Sequence, residues 1–143
     1  MGAFYIRCKI ENVIDRTKSA VLPRLLVDTG SEHTWVSTAI LERLGIKRAK
    51  KDVAFVMANG QQVTRSVGFA IIRLGKFFTI DEVVFAEKGD LLLLGARTLE
   101  GLNLTVDPRR KKLVAAGPLP AATAATTGGK HLTFPIKVGE NLN

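Results

Sequence analysis

Leu25-Leu26-Val27-Asp28-Thr29-Gly30-Ser31 is the stretch on which the reading of this chain turns. An apolar run ends in an acidic side chain, followed at once by a hydroxyl residue and a glycine. Chemically this is a way to hold one carboxylate at a fixed point. The strand buries itself, the Thr29 hydroxyl is free to bond across a symmetry axis, and Gly30 lets backbone approach where a Cβ would clash. Asp-Thr-Gly by itself also suits an ordinary turn closed by an Asx hydrogen bond. The surrounding sequence has to decide between the two.

Upstream, residues 4–10 alternate as a half-buried strand does, with Phe4, Ile6, Cys8 and Ile10 on one face and Tyr5, Arg7 and Lys9 on the other. Residues 12–19 are polar and read as a connection. Residues 21–27 form the strand that carries Asp28, with Pro23 near its start. Downstream of Trp35 and Val36, the pattern predicts a short helix. Ser37 or Thr38 caps it, Ile40, Leu41 and Leu44 line its apolar side, and Gly45 closes it. Extended runs at 53–58 and 61–73 are joined by Asn59-Gly60, a two-residue hairpin signal. A strand follows at 77–85, and the apolar run 91–94 predicts a buried strand ending at Gly95. A short helix at 96–100 and strands at 102–106 and 113–116 complete a mostly β fold with one or two short helices. Beyond Gly117 the composition shifts to Ala, Thr, Pro and Gly. The chain therefore divides into a domain over 1–117 and a flexible tail over 118–143, in which 131–138 adds at most one strand.

With 143 residues, 46% of them hydrophobic and 24% charged, the chain has the size and balance of one globular domain. The net charge of +8 is concentrated at Arg43, Lys47, Arg48, Lys50 and Lys51 and again at Arg109, Arg110, Lys111 and Lys112. Such clusters hold phosphates in nucleic-acid binders, but Asp107-Pro108 marks the second as a turn and no aromatic residues interleave with either. Nucleic acid is not an expected partner. No apolar run approaches the roughly 18 residues of a spanning helix, and the first residues lack a secretory pattern. The expectation is a cytoplasmic protein away from membranes. Cys8 is alone, so no internal disulfide forms, and one cysteine with two distant histidines makes no zinc site. Neither metal nor cofactor is expected.

The order of elements carries a resemblance. An apolar-apolar-Asp-Thr-Gly loop, a hairpin tip at Asn59-Gly60 and a late Leu93-Leu94-Gly95 follow one another as in the retropepsin-like, single-domain aspartic proteases. The resemblance spans residues 4–116. The run from Asp28 to Val36, with Ser31 and then Trp35-Val36, is also similar to the first catalytic loop of pepsins. The resemblance implies a closed retropepsin-like β-barrel with Asp28 as catalytic carboxylate and Thr29 bracing the two halves of the site. It implies that Gly30 receives substrate backbone and that Ser31 hydrogen-bonds the carboxylate, which favours its ionised form and an acidic preference. Glu32, Ala58, Asn59, Gly60 and Gln61 would contact substrate from loop and flap, and Leu93, Leu94 and Gly95 would buttress the catalytic loop. In one respect the chain departs from the pattern. Retroviral members often carry Arg directly after the late Gly; here Ala96 stands there and Arg97 follows, with Glu32 as its candidate partner. The flap also lacks the several glycines of many viral flaps.

Hydrolysis of this kind needs two carboxylates sharing a proton around one water, because like charges so close do not both ionise. The chain has a single Asp-Thr-Gly. The second acid then comes from a second copy, in a homodimer acting as an endopeptidase on peptide or protein substrates. Two alternatives remain open: a catalytically silent dimerisation or peptide-binding module of the same fold, and a nucleic-acid-associated protein. Dehalogenase-like phosphotransferases and integrin-type metal sites are excluded because Gly30 occupies the place of their second acid or serine. Asp28, Ser31 and His33 lie on one tight loop and do not suit a hydrolase triad. His33 reads as a partly exposed structural residue, Trp35 as a core anchor and Cys8 as a small core hydrophobe. Phe134-Pro135, an aromatic-proline bond flanked by apolar residues, is a candidate self-processing site.

Overall fold

The computed structural model describes residues 3–121. Strands β1 (Tyr5–Glu11) and β2 (Ser19–Val27) form a hairpin, followed by β3 (Thr34–Ser37) and helix α1 (Thr38–Arg43). Next come β4 (Lys50–Val56), β5 (Gln62–Leu74), β6 (Phe77–Ala86) and the two-residue β7 (Leu93–Leu94). Helix α2 (Ala96–Leu102) and a small hairpin of β8 (Leu104–Asp107) and β9 (Lys112–Ala115) end the fold. Over the described residues the fold is mostly β, with two short helices. The expected tail falls almost wholly outside the described residues, and Phe134-Pro135 and His131 fall entirely outside them.

One sheet runs in the order β1-β2-β7-β3-β6-β5-β4, and β1 also pairs with β5. The pairings therefore return on themselves, with β4 attached outside the ring. Strand β5 makes this possible through its length. Its first half pairs with β4, its second half with β6, and residues 71–73 with β1. Alternation in β1 sets which face turns inward: Cys8 and Ile10 are buried while Arg7 is exposed. Inside the ring Ile10, Leu25, Val36, Ile72, Phe85 and Leu94 share one core with Leu41 of α1 and Leu99 of α2. A smaller cluster of Trp35, Val67, Val84 and Leu93 continues toward β4, where Val53, Phe55 and Met57 pack on it. Cys8 is buried as expected, and burial pushes its thiol up to about 12.

Three local expectations need correction. The apolar run 91–94 is not one buried strand: only Leu93 and Leu94 find partners, at Leu26 and Val27, while Leu91 and Leu92 are 64% and 42% exposed. Their counterparts in the parallel register, Arg24 and Leu25, lie within β2, but the chain arrives from the turn closed by Asp90 N–H on Glu87 O and joins the ladder only at Leu93. The helix after Gly95 takes in Leu102, which was expected in a strand, and Asn103 closes it in the left-handed region with φ 56°. The β4–β5 turn is not a two-residue one. Met57 N–H bonds Gln61 O at 2.8 Å and Gly60 N–H bonds Met57 O at 2.8 Å. Gly60 alone has positive φ there, at 84°, whereas a two-residue type I′ turn needs it at Asn59 as well. The Asn59 side chain instead accepts from Gln61 N–H at 2.9 Å.

Three acids are drawn into the fold against cations. Glu11 receives Arg73 at 3.1 and 3.2 Å, Glu82 receives Lys50 at 2.8 Å, and Asp90 receives Arg65 at 2.7 Å. In each case the hydrogen bond from the cation is the main cause that lowers the carboxyl pKa, and burial opposes it. A lowered folded-state pKa contributes stability above the ordinary carboxylate value, 4.5 for Glu and 3.8 for Asp, and loses it as pH falls through the folded value. Thermal midpoints measured downward from about pH 7 should hold to about pH 5 and then fall. In Glu11→Gln the acid-side fall should be shallower; an acid-insensitive midpoint in the parent chain would contradict these pairings.

Candidate active site

Asp28 follows directly on β2, whose last residue Val27 lies beside Leu94 in a parallel pair. Its N–H continues the ladder by one bond, donating to Leu94 O at 3.0 Å. The chain then turns. Gly30 N–H donates to Asp28 Oδ1 at 2.9 Å, and Ser31 N–H to Asp28 O at 3.2 Å. The Asx turn that Asp-Thr-Gly also suits is thus present, and it is also what orients the carboxylate. A Cβ on Gly30 would sit 3.2 Å from Oδ1, tighter than a normal contact. Among the described residues Oδ2 has no hydrogen-bond partner.

The loop 31–33 rests on the backbone after β7. Ala96 N–H bonds Ser31 O at 2.7 Å and Arg97 N–H bonds Glu32 O at 3.0 Å. Gly95 lies so close beneath that a Cβ there would come within 2.6 Å of Glu32 O and nearer still to His33 O. Leu94 and Gly95 therefore stand where the buttress was expected. Gly95 is held in turn by a buried chain that sequence reasoning missed: its N–H donates to Thr34 Oγ1 at 3.0 Å, Thr34 Oγ1 contacts Thr98 Oγ1 at 2.6 Å, and Thr98 donates to Asp81 Oδ2 at 2.9 Å. An ionised carboxylate only accepts, so Thr98 gives its proton to Asp81 and Thr34 gives its own to Thr98. Both threonines are almost fully buried. Two hydroxyls at core positions were the available signal, but their separation of 64 positions hid the pairing.

Two expected side-chain partnerships are not formed. The Ser31 hydroxyl donates to His33 O at 3.1 Å, so its one proton is engaged away from Asp28 and the hint of acidic preference loses its basis. Arg97 turns to His33 Nε2 at 3.3 Å and Glu82 Oε2 at 3.7 Å, not to the Glu32 carboxylate. Glu82 is 8% exposed and gains from a cation, whereas Glu32 is exposed and solvated by water. The His33 ring packs edge-on against Phe55 of β4 at 5.4 Å, and Phe55 against Trp35 at 5.2 Å. His33 is a half-buried link between loop and hairpin, not part of a triad. Trp35 is a core anchor as expected, and it also faces the cleft.

That cleft has a volume of about 600 Å³. Asp28, Gly30, Ser31 and Glu32 form one wall, residues 53–58 of the β4–β5 hairpin the opposite one, with Leu91 and Leu93 at the side. Of the expected flap residues Ala58 lines it, while Asn59, Gly60 and Gln61 lie exposed beyond it and Thr29 is exposed beside Asp28. Phe55, Met57 and Leu91 are lining residues that the sequence reading assigned no role. No cluster of His, Cys, Asp and Glu suited to a metal occurs among the described residues. No helix among them is long and apolar enough to cross a membrane.

Residues 20–101, more than half of the chain, match the family model described as "gag-polyprotein putative aspartyl protease". The chain belongs to this family. The matched span opens in β2 and closes in α2, so it takes in the Asp28 turn, the β4–β5 hairpin and Gly95. A search of curated proteins gives no match. Membership makes the chain a retropepsin-like domain, and at the level of the family a peptidase acting on peptide substrates.

Proposed function

We propose that the chain is one half of an aspartic endopeptidase, in which Asp28 of one subunit and Asp28 of a second copy form the catalytic dyad across a two-fold axis. The ring of strand pairings is, in this reading, the closed barrel of a retropepsin-like subunit. The observation that carries the proposal is the setting of Asp28. A carboxylate with one oxygen pinned by Gly30 N–H and its backbone tied to Leu94 lines a cleft faced by a hairpin, in a chain of an aspartyl protease family. Two such groups brought together share one proton. The ionised one draws a proton from a bound water as it attacks the peptide carbonyl, and the protonated one supplies a proton to the substrate. Thr29, exposed next to Asp28, is available to the partner subunit. The β4–β5 hairpin serves as the flap, and an extended peptide lies under it as an added strand held through its main chain.

Such an enzyme has no complete site as a monomer. Specific activity on a peptide library should rise with protein concentration and level off as the dimer fills, in step with the dimer fraction seen by analytical ultracentrifugation. Full specific activity in a preparation that sediments only as monomer would refute the shared dyad.

A further inference from the structure

Residues 87–92 link β6 to β7 without joining any strand, yet they bring Leu91 to the cleft. What locates this link is Asp90. Glu87 N–H donates to its Oδ2 at 2.8 Å, and its own N–H returns to Glu87 O at 2.9 Å, closing a turn. From the other side Arg65 of β5 grips the same carboxylate with both edges of its fork, Nε to Oδ2 at 2.7 Å and Nη2 to Oδ1 at 2.9 Å. Arg65 also donates through Nη1 to Thr64 O at 2.8 Å, so the guanidinium is locked onto its own strand. The two side chains are only 14% and 8% exposed, which sets this pair apart from a surface ion pair. Across the hairpin, Arg65 stands opposite Val53, which lines the cleft.

We propose that Arg65 and Asp90 are positioning residues, a clamp that joins the flap hairpin to the Leu91 wall and so sets the width of the substrate cleft. The inference rests on the endopeptidase reading for its kinetic consequence but not for its mechanical one. Asp28 is held independently, through Leu94 and Gly95, so opening the clamp widens the cleft without displacing the carboxylate. The clamp then acts on how tightly peptide is held and hardly on the chemical step. A fork-shaped partner is required, because a lysine ammonium binds as a point charge and does not fix the turn's orientation.

The test compares the parent chain with Asp90→Asn, Asp90→Glu and Arg65→Lys. Peptide cleavage and amide hydrogen exchange are both measured. In Asp90→Asn, KM should rise about tenfold with kcat within about twofold, and Asp90→Glu should recover most of the loss. Exchange at residues 53–57 and at positions 87 and 90, whose N–H groups close the turn, should quicken about tenfold while Ile72 and Val83 in the core keep their protection. If Asp90→Asn does not fold, Arg65→Lys carries the same expectations. An unchanged KM, a fall confined to kcat, or exchange that rises equally in the core would overturn the clamp. Should the parent chain show no Asp28-dependent cleavage, the endopeptidase reading fails on its own. The exchange pattern then decides the clamp: local loosening upholds it, and uniform loosening or none rejects it.

Discussion

Asp28→Asn should abolish peptide hydrolysis, by about a thousandfold or more, with the thermal midpoint close to that of the parent chain. The two halves of this expectation come from different atoms. The oxygen of the substituted amide still accepts from Gly30 N–H, and the main-chain bond to Leu94 O involves no side chain, so the turn persists. The amide nitrogen, however, neither takes nor shares a proton at ordinary pH, and the proposed dyad would lose its acid-base function. If each site draws on two copies, as proposed, a mixed dimer has one acid and is equally silent. Chains carrying Asp28→Asn, added in excess to active enzyme, should therefore inhibit it once subunits exchange. Peptide turnover that survives the substitution would remove Asp28 from the chemistry, and the silent peptide-binding module would become the better reading.

Gly95→Ala should be the most damaging single-methyl change in the described region. Gly95 has φ −94° and ψ 175°, a conformation open to any residue, so no left-handed strain is at issue. The conflict is steric. The new methyl would meet the carbonyl oxygens of Glu32 and His33, which are main-chain atoms with no rotamer to change. The loop 31–33 or the end of β7 has to move, and with it the bonds Ala96 to Ser31 and Arg97 to Glu32. Overpacking of this kind costs about 1–3 kcal/mol or more. The midpoint should fall by about 4 °C for each kcal/mol lost. Activity should fall further than stability alone explains, because Leu94, one residue earlier, fixes Asp28. Calorimetry beside peptide kinetics checks both, and a parent-like midpoint would mean that the loop yields more freely than its contacts indicate.

These two positions were legible in the sequence, and for a shared reason. A carboxylate at the end of an apolar strand and a glycine at the end of another are local patterns, set by residues adjacent in the chain. The same holds for the alternation of β1, the helix after Ser37 and the location of the Asn59-Gly60 turn. The turn's type was harder. Asn59 prefers to bond Gln61 N–H through its side chain, and with only Gly60 in the left-handed region the hairpin closes through a longer loop. Leu91 and Leu92 misled because hydropathy registers an apolar run without registering where the incoming chain first meets its partner strand.

The linear order of residues determined a mostly β domain, the retropepsin-like succession of motifs and the placement of one acid where a strand gives way to a turn. Tertiary structure alone decided the partners: that Ser31 turns to His33 and Arg97 to Glu82, that Thr34 and Thr98 support Gly95, and that Arg65 reaches Asp90. Period and turn preference act over a few residues and write backbone shape directly into sequence. Which donor meets which acceptor depends on strand twist and on where distant connections come to rest, so these bonds are fixed only once the ring of strands is assembled.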